Sequence, residues 1–392
     1  MKKVRSTAIT GAAFLMATSA IGPGFLTQTT VFTQQLAASF GFVIVISVLL
    51  DIGAQMNIWR IIAVTEKRAQ LIANELLPGL GYILAGLIVI GGLAFNIGNI
   101  GGCGLGLQVL TGMEPLYGSM ISCVIALFIF WNKEAGKAID GFTKLLGLLM
   151  ILLTIFIVFK ADPPIVSAIK HSFFPEKISA IAIVTLVGGT VGGYISFSGG
   201  HRLLDAGIKG EAALPDVNRS AVTGIVVTAM MRFLLFLAAL GVIMKGVALD
   251  STNPPASVFK LAAGAIGYKF FGIVMWSAAI TSVIGAAYTS VSFLKTFHPL
   301  IEQYEKWIIS IFIVFSTLVF GIAGNPIQIL ITVGALNGLI LPIALGLMLV
   351  AARNKKLVKE YKHPLWLQIT GWMVVAAMSW MGYLTIAKWI SA

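Results

Sequence analysis

The chain has 392 residues, of which 58% are hydrophobic and only 11% are charged, and its formal net charge is +12. Soluble domains carry about 25% charged residues, so this composition excludes a cytosolic enzyme, a nucleic-acid-binding protein and a secreted module. The mean hydropathy of +0.96 instead indicates an all-helical integral membrane protein. We therefore expect the lipid bilayer as a partner and no nucleic acid.

Apolar runs separated by short polar loops predict eleven transmembrane helices. A helix needs about 20 apolar residues to cross the bilayer core, and most of these runs are long enough. In chain order the predicted spans cover residues 8–36, 41–64, 80–110, 117–132, 142–160, 178–206, 219–244, 268–295, 307–324, 327–350 and 366–388. The loops leave no room for a soluble domain, so residues 1–392 are predicted to form one transmembrane domain.

The loop charges predict the orientation of these spans. Most Lys and Arg residues fall in the loops on the same side as the N-terminus, and basic loops are retained in the cytoplasm. We therefore expect a multi-pass protein of the inner or plasma membrane, with its N-terminus in the cytoplasm and its C-terminus outside. Cys103 and Cys123 lie in apolar stretches without a CxxC pair and are interpreted as core residues.

Two predicted spans are interrupted by helix-breaking residues. Gly22-Pro23-Gly24 interrupts the first span, and the glycines between residues 188 and 193 interrupt the sixth. The interruptions are five spans apart, which predicts two inverted repeats, residues 8–160 and 178–350, with an extra helix at 366–388. Transporters of this kind bind substrate at the membrane midplane, between their broken helices. Close helix packing through small residues is the alternative interpretation.

The residues around the two breaks predict the kind of solute that binds there. No Asp, Glu, His, Cys or Met lies between Ala17 and Ser39 or between Lys177 and Gly200, so no transition-metal site is predicted. Free N–H groups at half-helix N-termini suit a carboxylate, which favours a small organic acid. The candidate substrate-binding residues are Ser19, Gly22, Gly24, Phe25, Thr27, Gln28, Asn96, Gly189, Gly192, Gly193 and Tyr194.

Two ionisable residues lie inside predicted spans. Asp51 is in the second span and Arg232 in the seventh, and a charge at membrane depth is costly unless it is paired. We therefore predict an intramembrane ion pair with a structural or gating role. The alternatives are that Asp51 carries a proton, or that the two residues have other partners.

Residues 95–101, Phe-Asn-Ile-Gly-Asn-Ile-Gly, and residues 330–345 resemble the NRAMP (natural resistance-associated macrophage protein) family of proton-coupled divalent-metal transporters. The resemblance extends over nearly the whole chain. It implies the fold of the bacterial leucine transporter, within the wider superfamily of amino-acid and cation transporters, with broken helices 1 and 6. It also implies alternating-access secondary transport without enzymatic activity. We expect a monomer or a weak homo-oligomer.

The chain departs from the family at the residues that handle metal and protons. Gly22-Pro23-Gly24-Phe25 stands where the family has Asp-Pro-Gly-Asn, and Gly192-Gly193-Tyr194-Ile195 stands where it has Met-Pro-His-Asn. The family's acidic pair of the third span matches Asn96 and Asn99. The resemblance therefore implies the fold but not the metal substrate. The alternative is a divalent-metal transporter, for Mg²⁺ or Mn²⁺, in which carbonyls and hydroxyls replace the lost ligands.

The segment from Gly192 to Gly207 resembles a divergent bacterial branch of the family whose genes often lie beside those for 5-oxoproline (pyroglutamate) hydrolysis. The resemblance implies a 5-oxoproline carrier or a carrier of an amino-acid-like solute. 5-Oxoproline is a small cyclic amide with one carboxylate, in agreement with the chemistry predicted at the breaks.

The eighth span contains a candidate site for a coupling ion. Ala278, Thr281 and Ser282 have the spacing at which sodium-coupled relatives of this fold offer a carbonyl and two hydroxyls to Na⁺, with further carbonyls near Ala17 and Ala20. The alternative is that the hydroxyls bond to their own helix. We expect Na⁺ or H⁺ as the coupling ion and no other cofactor.

Overall fold

The computed structural model describes residues 21–391, and every regular element in that range is a helix. The α-helices in chain order are α1 (Pro23–Leu36), α2 (Phe40–Thr65), α3 (Ala69–Leu76), α4 (Leu80–Thr111), α5 (Pro115–Trp131), α6 (Lys133–Ala161), α7 (Ile165–Phe173), α8 (Ala180–Thr190), α9 (Tyr194–Asp205), α10 (Leu214–Met244), α11 (Pro254–Leu294), α12 (Pro299–Gln303), α13 (Glu305–Ala323), α14 (Pro326–Ala351), α15 (Lys355–Val358) and α16 (Leu365–Ser391). The first half of the first predicted span, with Ala17, Ser19 and Ala20, lies outside the described residues.

Local sequence signals set the ends of the long helices. Pro115 and Pro326 occupy the first turns of α5 and α14, where a missing N–H costs nothing and the fixed φ suits the helix. The Asn325 side chain accepts a hydrogen bond from the Gln328 N–H and caps α14. Gly112 ends α4 with a φ of 82°, a conformation that glycine adopts without steric cost.

The described residues contain eight helices that are long and apolar enough to cross a membrane, or nine if α6 and α7 form one bent span. The angle between Leu145–Ala161 and Ile165–Phe173 is 107°. Helix α5 is apolar but only 17 residues long. A single 3₁₀ turn joins α1 to α2, so α1 and α2 count as one segment, Pro23–Thr65. A multi-pass all-helical membrane protein is thus confirmed, while the count of eleven spans is not.

The sixth predicted span is broken, with α8 ending at Thr190 and α9 beginning at Tyr194. A further break was not predicted: α11 is interrupted at Gly264, where φ is 65°. Helix α11 begins at Pro254, well before the predicted start of the eighth span at residue 268. The short helices α3, α7, α12 and α15 lie in segments predicted as loops, because their few apolar residues are too short a signal to separate from a turn.

Helix packing brings the break of the sixth span to the centre of the protein. Helix α8 packs along α14, α4 packs along α11, and α10 contacts both α1 and α2. A Cβ at Gly188 would collide with the backbone of Gly334 and Gly338, so α8 and α14 approach closely because glycines face each other. Large apolar side chains such as Phe128 and Phe159 are exposed on α5 and α6, as expected of a surface that faces lipid.

Candidate substrate-binding site

The chain between α8 and α9 consists of Val191, Gly192 and Gly193. Gly193 has φ of 54° and ψ of −129°, a backbone conformation that residues with a side chain rarely adopt. A Cβ there would lie 2.9 Å from Asn337 Cγ and closer still to its Oδ1. The Gly192 N–H donates to the Val187 carbonyl at 3.1 Å. This hydrogen bond closes the end of α8 and removes the Gly192 N–H from the free donors that the sequence predicts.

Helix α1 begins beside α4 and α11. A Cβ at Gly22 would lie 3.5 Å from Ser282 Oγ and 3.8 Å from Asn99 Oδ1. The Leu26 N–H donates to the Gly22 carbonyl at 3.3 Å, so it is also not free for a ligand. The N–H groups of Gly24 and Phe25 remain as the first-turn donors without an acceptor in the helix.

Gln28 lies in a cradle formed by glycines of two other helices. Its Nε2 donates to the Leu330 carbonyl of α14 at 2.9 Å. A Cβ at Gly189 would lie 2.7 Å from Gln28 Oε1, and a Cβ at Gly334 would collide with its Nε2. Because a carbonyl can only accept, the amide must present its NH₂ to Leu330, and its Oε1, which is buried without a partner, is oriented toward Gly189. Thr27 Oγ1 on the same helix is likewise buried without a partner.

Asn96 on α4 and Tyr194 at the start of α9 are two further predicted binding residues. Asn96 Nδ2 donates to Ser316 Oγ of α13 at 3.2 Å, while its Oδ1 is buried without a partner. Tyr194 is 3% exposed and packs edge-on against Phe95, with 5.4 Å between ring centroids. The structure therefore places Tyr194 in an aromatic contact with α4, at the first residue of α9.

Asn337 is a residue of this region that the sequence reasoning missed. Its Nδ2 donates to the carbonyls of Gly91 and Val333, at 3.1 and 3.0 Å, and its side chain occupies the space beside Gly193. It joins α4, α9 and α14 at the break. A polar residue in the apolar run of Pro326–Ala351 was the signal that could have identified it.

Asp51 and Arg232 are the two ionisable residues near Thr190, at the end of α8. Both side chains are buried, at 1% and 3% exposure. Arg232 Nη1 donates to Thr190 Oγ1 at 3.0 Å, and the Thr190 hydroxyl donates to the Leu186 carbonyl at 2.8 Å. Asp51 Oδ1 is buried without a hydrogen-bond partner, and the carboxylate lies within reach of the charge of Arg232. The Arg232 guanidinium also stacks on Phe25, with 4.4 Å from Cζ to the ring centroid. The structure thus places the two charges near one another, but they form no ion pair of 4.0 Å or less.

The candidate coupling-ion residues lie on α11, next to the start of α1. The Thr281 hydroxyl donates to the carbonyls of Ser277 and Ala278, at 3.0 and 3.1 Å, as the alternative interpretation expects. Ser282 Oγ, by contrast, is near Gly22. Ala17 and Ala20 lie outside the described residues, so of the predicted set only the α11 residues can be located.

Carboxylates, imidazoles and thiols do not cluster in the part of the chain that the structure describes. Residues 21–391 contain no group of three or more His, Cys, Asp or Glu side chains that could hold a metal ion. Cys103 and Cys123 are both buried and free. The site at the break is instead built from glycine backbone, neutral amides and hydroxyls, the Arg232 guanidinium and the single carboxylate of Asp51.

This architecture, an all-helical membrane protein with a broken helix at a closed polar centre, defines a class of membrane transporters. The family model described as natural resistance-associated macrophage protein-like matches residues 13–388. The chain belongs to this family, and it is a transporter rather than an enzyme.

Individual proteins resemble the chain in sequence or in fold. The Bacillus subtilis membrane protein YcsG, described as uncharacterized, is 65% identical over 376 residues, which cover 96% of this chain and 93% of that protein. A mutant of the Eremococcus coleocola manganese transporter has a TM-score of 0.73 at 15% identity, covering 98% of this chain and 87% of the other. MhsT in complex with L-phenylalanine has a TM-score of 0.62 at 14% identity, covering 96% and 97%. At these identities the two structural matches concern the fold.

Proposed function

We propose that the protein is a secondary active transporter that takes up a small organic carboxylate, such as 5-oxoproline or an amino-acid-like solute, by alternating access. The observation that carries this proposal is the composition of the centre, where buried neutral hydrogen-bonding groups surround the break. Gln28 Oε1 and Thr27 Oγ1 are buried without partners, and buried polar atoms normally have one. Such atoms suit a solute with its own donors and acceptors better than they suit a metal ion.

We place the transporter in the inner or plasma membrane, with its N-terminus in the cytoplasm. The basic residues of the loops support this orientation. A sodium ion near Ala278 and Ser282, or a proton, would couple uptake to an ion gradient. The position of Ser282 Oγ beside Gly22 supports the sodium alternative, since Na⁺ sites of this fold join the first and eighth spans.

The test of the proposal is uptake of labelled 5-oxoproline into proteoliposomes, with an inward Na⁺ gradient, an inward H⁺ gradient, or neither. Uptake driven by a gradient and unaffected by Mn²⁺ is the expected result. Gln28→Ala should abolish most of it, because it removes both the acceptor and the contact with Leu330. The matched control is Gln35→Ala, which changes an exposed glutamine of the same helix. No uptake of any carboxylate by active vesicles would contradict the proposal.

Divalent-metal transport is the second candidate. The family and the fold of the Eremococcus coleocola manganese transporter favour it, although the described residues contain no group of three His, Cys, Asp or Glu side chains that could hold a metal ion. Mg²⁺, which prefers oxygen ligands and retains several waters, would then be the better substrate. Uptake of Mg²⁺ or Mn²⁺ by the same vesicles, with no carboxylate uptake, would establish this candidate instead.

The sodium site is tested separately with Ser282→Ala. If Na⁺ binds there, the substitution should raise the Na⁺ concentration needed for half-maximal uptake at least ~10-fold. The rate of uptake at saturating Na⁺ should fall by a smaller factor. Ser292→Ala, on the same helix and bonded to the Thr289 carbonyl, is the control. An unchanged sodium dependence in the Ser282 variant would remove the site.

A further inference from the structure

Arg232 is the one guanidinium that lies at the junction of α1, α8 and α10 in the described part of the chain. It is 3% exposed, its face covers the Phe25 ring, and Nη1 is held by Thr190. The other two nitrogens, Nε and Nη2, are buried without a hydrogen-bond partner. A guanidinium has five N–H donors, so an unusually large share of them is unused here.

Nε and Nη2 lie on the same edge of the guanidinium. Their N–H groups point in parallel and form the side-on pair that binds a carboxylate through two hydrogen bonds. Leaving charged donors buried and unpaired is costly, and none of the ion pairs among residues 21–391 involves Arg232 at 4.0 Å or less. Asp51 Oδ1 is also buried without a partner, but it forms no ion pair of 4.0 Å or less with Arg232. This edge is therefore available to an anion that is not part of the protein.

The position of Arg232 connects this edge with the candidate site. Phe25, on which the guanidinium stacks, carries one of the first-turn N–H groups of α1 that have no acceptor within the helix. Thr190, which anchors Nη1, is the last residue of α8 and directly follows Gly189. Gly189 in turn borders the free Oε1 of Gln28. Donors for a carboxylate and an acceptor for an N–H group thus adjoin consecutive residues of α8.

We propose that Arg232 binds the carboxylate of the transported solute through Nε and Nη2, and that Gln28 Oε1 accepts a hydrogen bond from an N–H group of the same solute. The substrate class is a small acid with an amide or amine close to its carboxylate. This inference rests on the proposed transport of an organic solute and extends it by naming the recognition groups. Asp51 and Thr190 are positioning residues, because they act on the guanidinium rather than on the solute.

Charge balance explains why Asp51 accompanies Arg232. Without solute, the nearby Asp51 carboxylate partly balances the charge of the buried guanidinium, while Thr190 holds Nη1. A bound solute carboxylate then shares that positive charge through Nε and Nη2. Asp51 therefore lowers the cost of the buried charge in the empty site without a hydrogen bond to Nε or Nη2.

The experiment measures the affinity of the purified full-length protein for two probes, 5-oxoproline and 2-pyrrolidinone, which has the same lactam ring without the carboxylate. The parent should bind 5-oxoproline at least ~100-fold more tightly, since two charge-assisted hydrogen bonds are lost with the carboxylate. Arg232→Lys retains the charge but loses the side-on pair. It should weaken 5-oxoproline binding about 10- to 100-fold and change 2-pyrrolidinone binding less than about threefold.

Two further variants keep the test decisive if Arg232→Lys fails to fold. Thr190→Val retains the Arg232 side chain but removes the hydroxyl that accepts from Nη1. The affinity for 5-oxoproline should therefore fall about 3- to 10-fold. Arg219→Lys makes the same replacement at an exposed position of α10 and should change neither affinity.

The outcomes separate this inference from the proposed function. Equal binding of 5-oxoproline by the parent and by Arg232→Lys would overturn the inference and leave the proposed function intact. Failure of 5-oxoproline alone, with another amino or amido acid binding in an Arg232-dependent way, would overturn that substrate and support the inference. No binding of any carboxylate by the folded parent would overturn both.

Discussion

Replacing Gly193 by alanine should destabilise the protein, whereas the same replacement at a glycine with open space around it should not. The added Cβ forces a residue with a side chain into φ of 54° and ψ of −129°, which costs about 1–3 kcal/mol. It also displaces the Asn337 side chain, which would lie 2.9 Å away at Cγ. Asn337 then loses two buried hydrogen bonds, worth about 1–2 kcal/mol together. The expected total loss is about 2–5 kcal/mol.

The assay is reversible unfolding of the purified variants in mixed detergent micelles. Gly285→Ala is the control, because that glycine lies in α11 with no atom within 4 Å of an added Cβ, and its effect should stay below about 1 kcal/mol. The loss of unfolding free energy in the double variant Gly193→Ala/Asn337→Ala should be about 1–2 kcal/mol smaller than the sum of the losses in the two single variants. Each single variant loses the same Asn337 hydrogen bonds, so the sum counts them twice. A Gly193 variant as stable as the parent would refute the reasoning.

Two other predictions concern the packing of α9 and the loop before α16. In Gly199→Ala, a Cβ would lie 2.8 Å from Trp59 Cη2, and overpacking should cost about 1–3 kcal/mol in the same unfolding assay, whereas Gly346→Ala, with open space around its Cβ, should be neutral. The second prediction is a pH effect. Burial, and then the charge of Arg60, lower the pKa of His363 from 6.5 to about 4, so the folded protein keeps the imidazole neutral, bonded to Asn57 Oδ1 at 2.7 Å. This stabilisation is complete above pH 6.5 and is lost as the pH falls toward 4. The melting temperature should therefore fall more steeply over that range in the parent than in His363→Gln, and parallel curves would contradict the assignment.

The parts of the fold that the sequence predicted are those with a long-range signal. The break at residues 191–193 was predicted because glycines are concentrated there, and glycine both favours the unusual backbone and permits the close approach of α14. The kink at Gly264 was missed because one glycine in an apolar run is ordinary in membrane helices. The number of spans could not be settled from hydropathy, because α5 is short and α7 turns away from α6.

The candidate site was predicted in outline but not in its contacts. Asp51 and Arg232 were recognised because a charge inside an apolar span is conspicuous, yet the hydrogen bond from Arg232 to Thr190 depends on the packing of α8 against α10. The same is true of Asn337, whose carbonyl partners are 246 residues and 4 residues away in sequence. Side-chain direction, which decides whether a donor is free or used, follows from tertiary structure and not from spacing.

The glycines on the two sides of the break assign its halves to different mechanical partners. Gly188 fits α8 directly onto the backbone of α14, while Gly199 and Gly200 fit α9 onto the Trp59 ring of α2, whose Nε1 is bonded to the Ser196 carbonyl at 2.6 Å. Neither contact leaves slack for sliding. If α8 and α9 move relative to each other during transport, we therefore expect the backbone change to occur at residues 191–193, where Gly193 has no side chain and already has a φ of 54°.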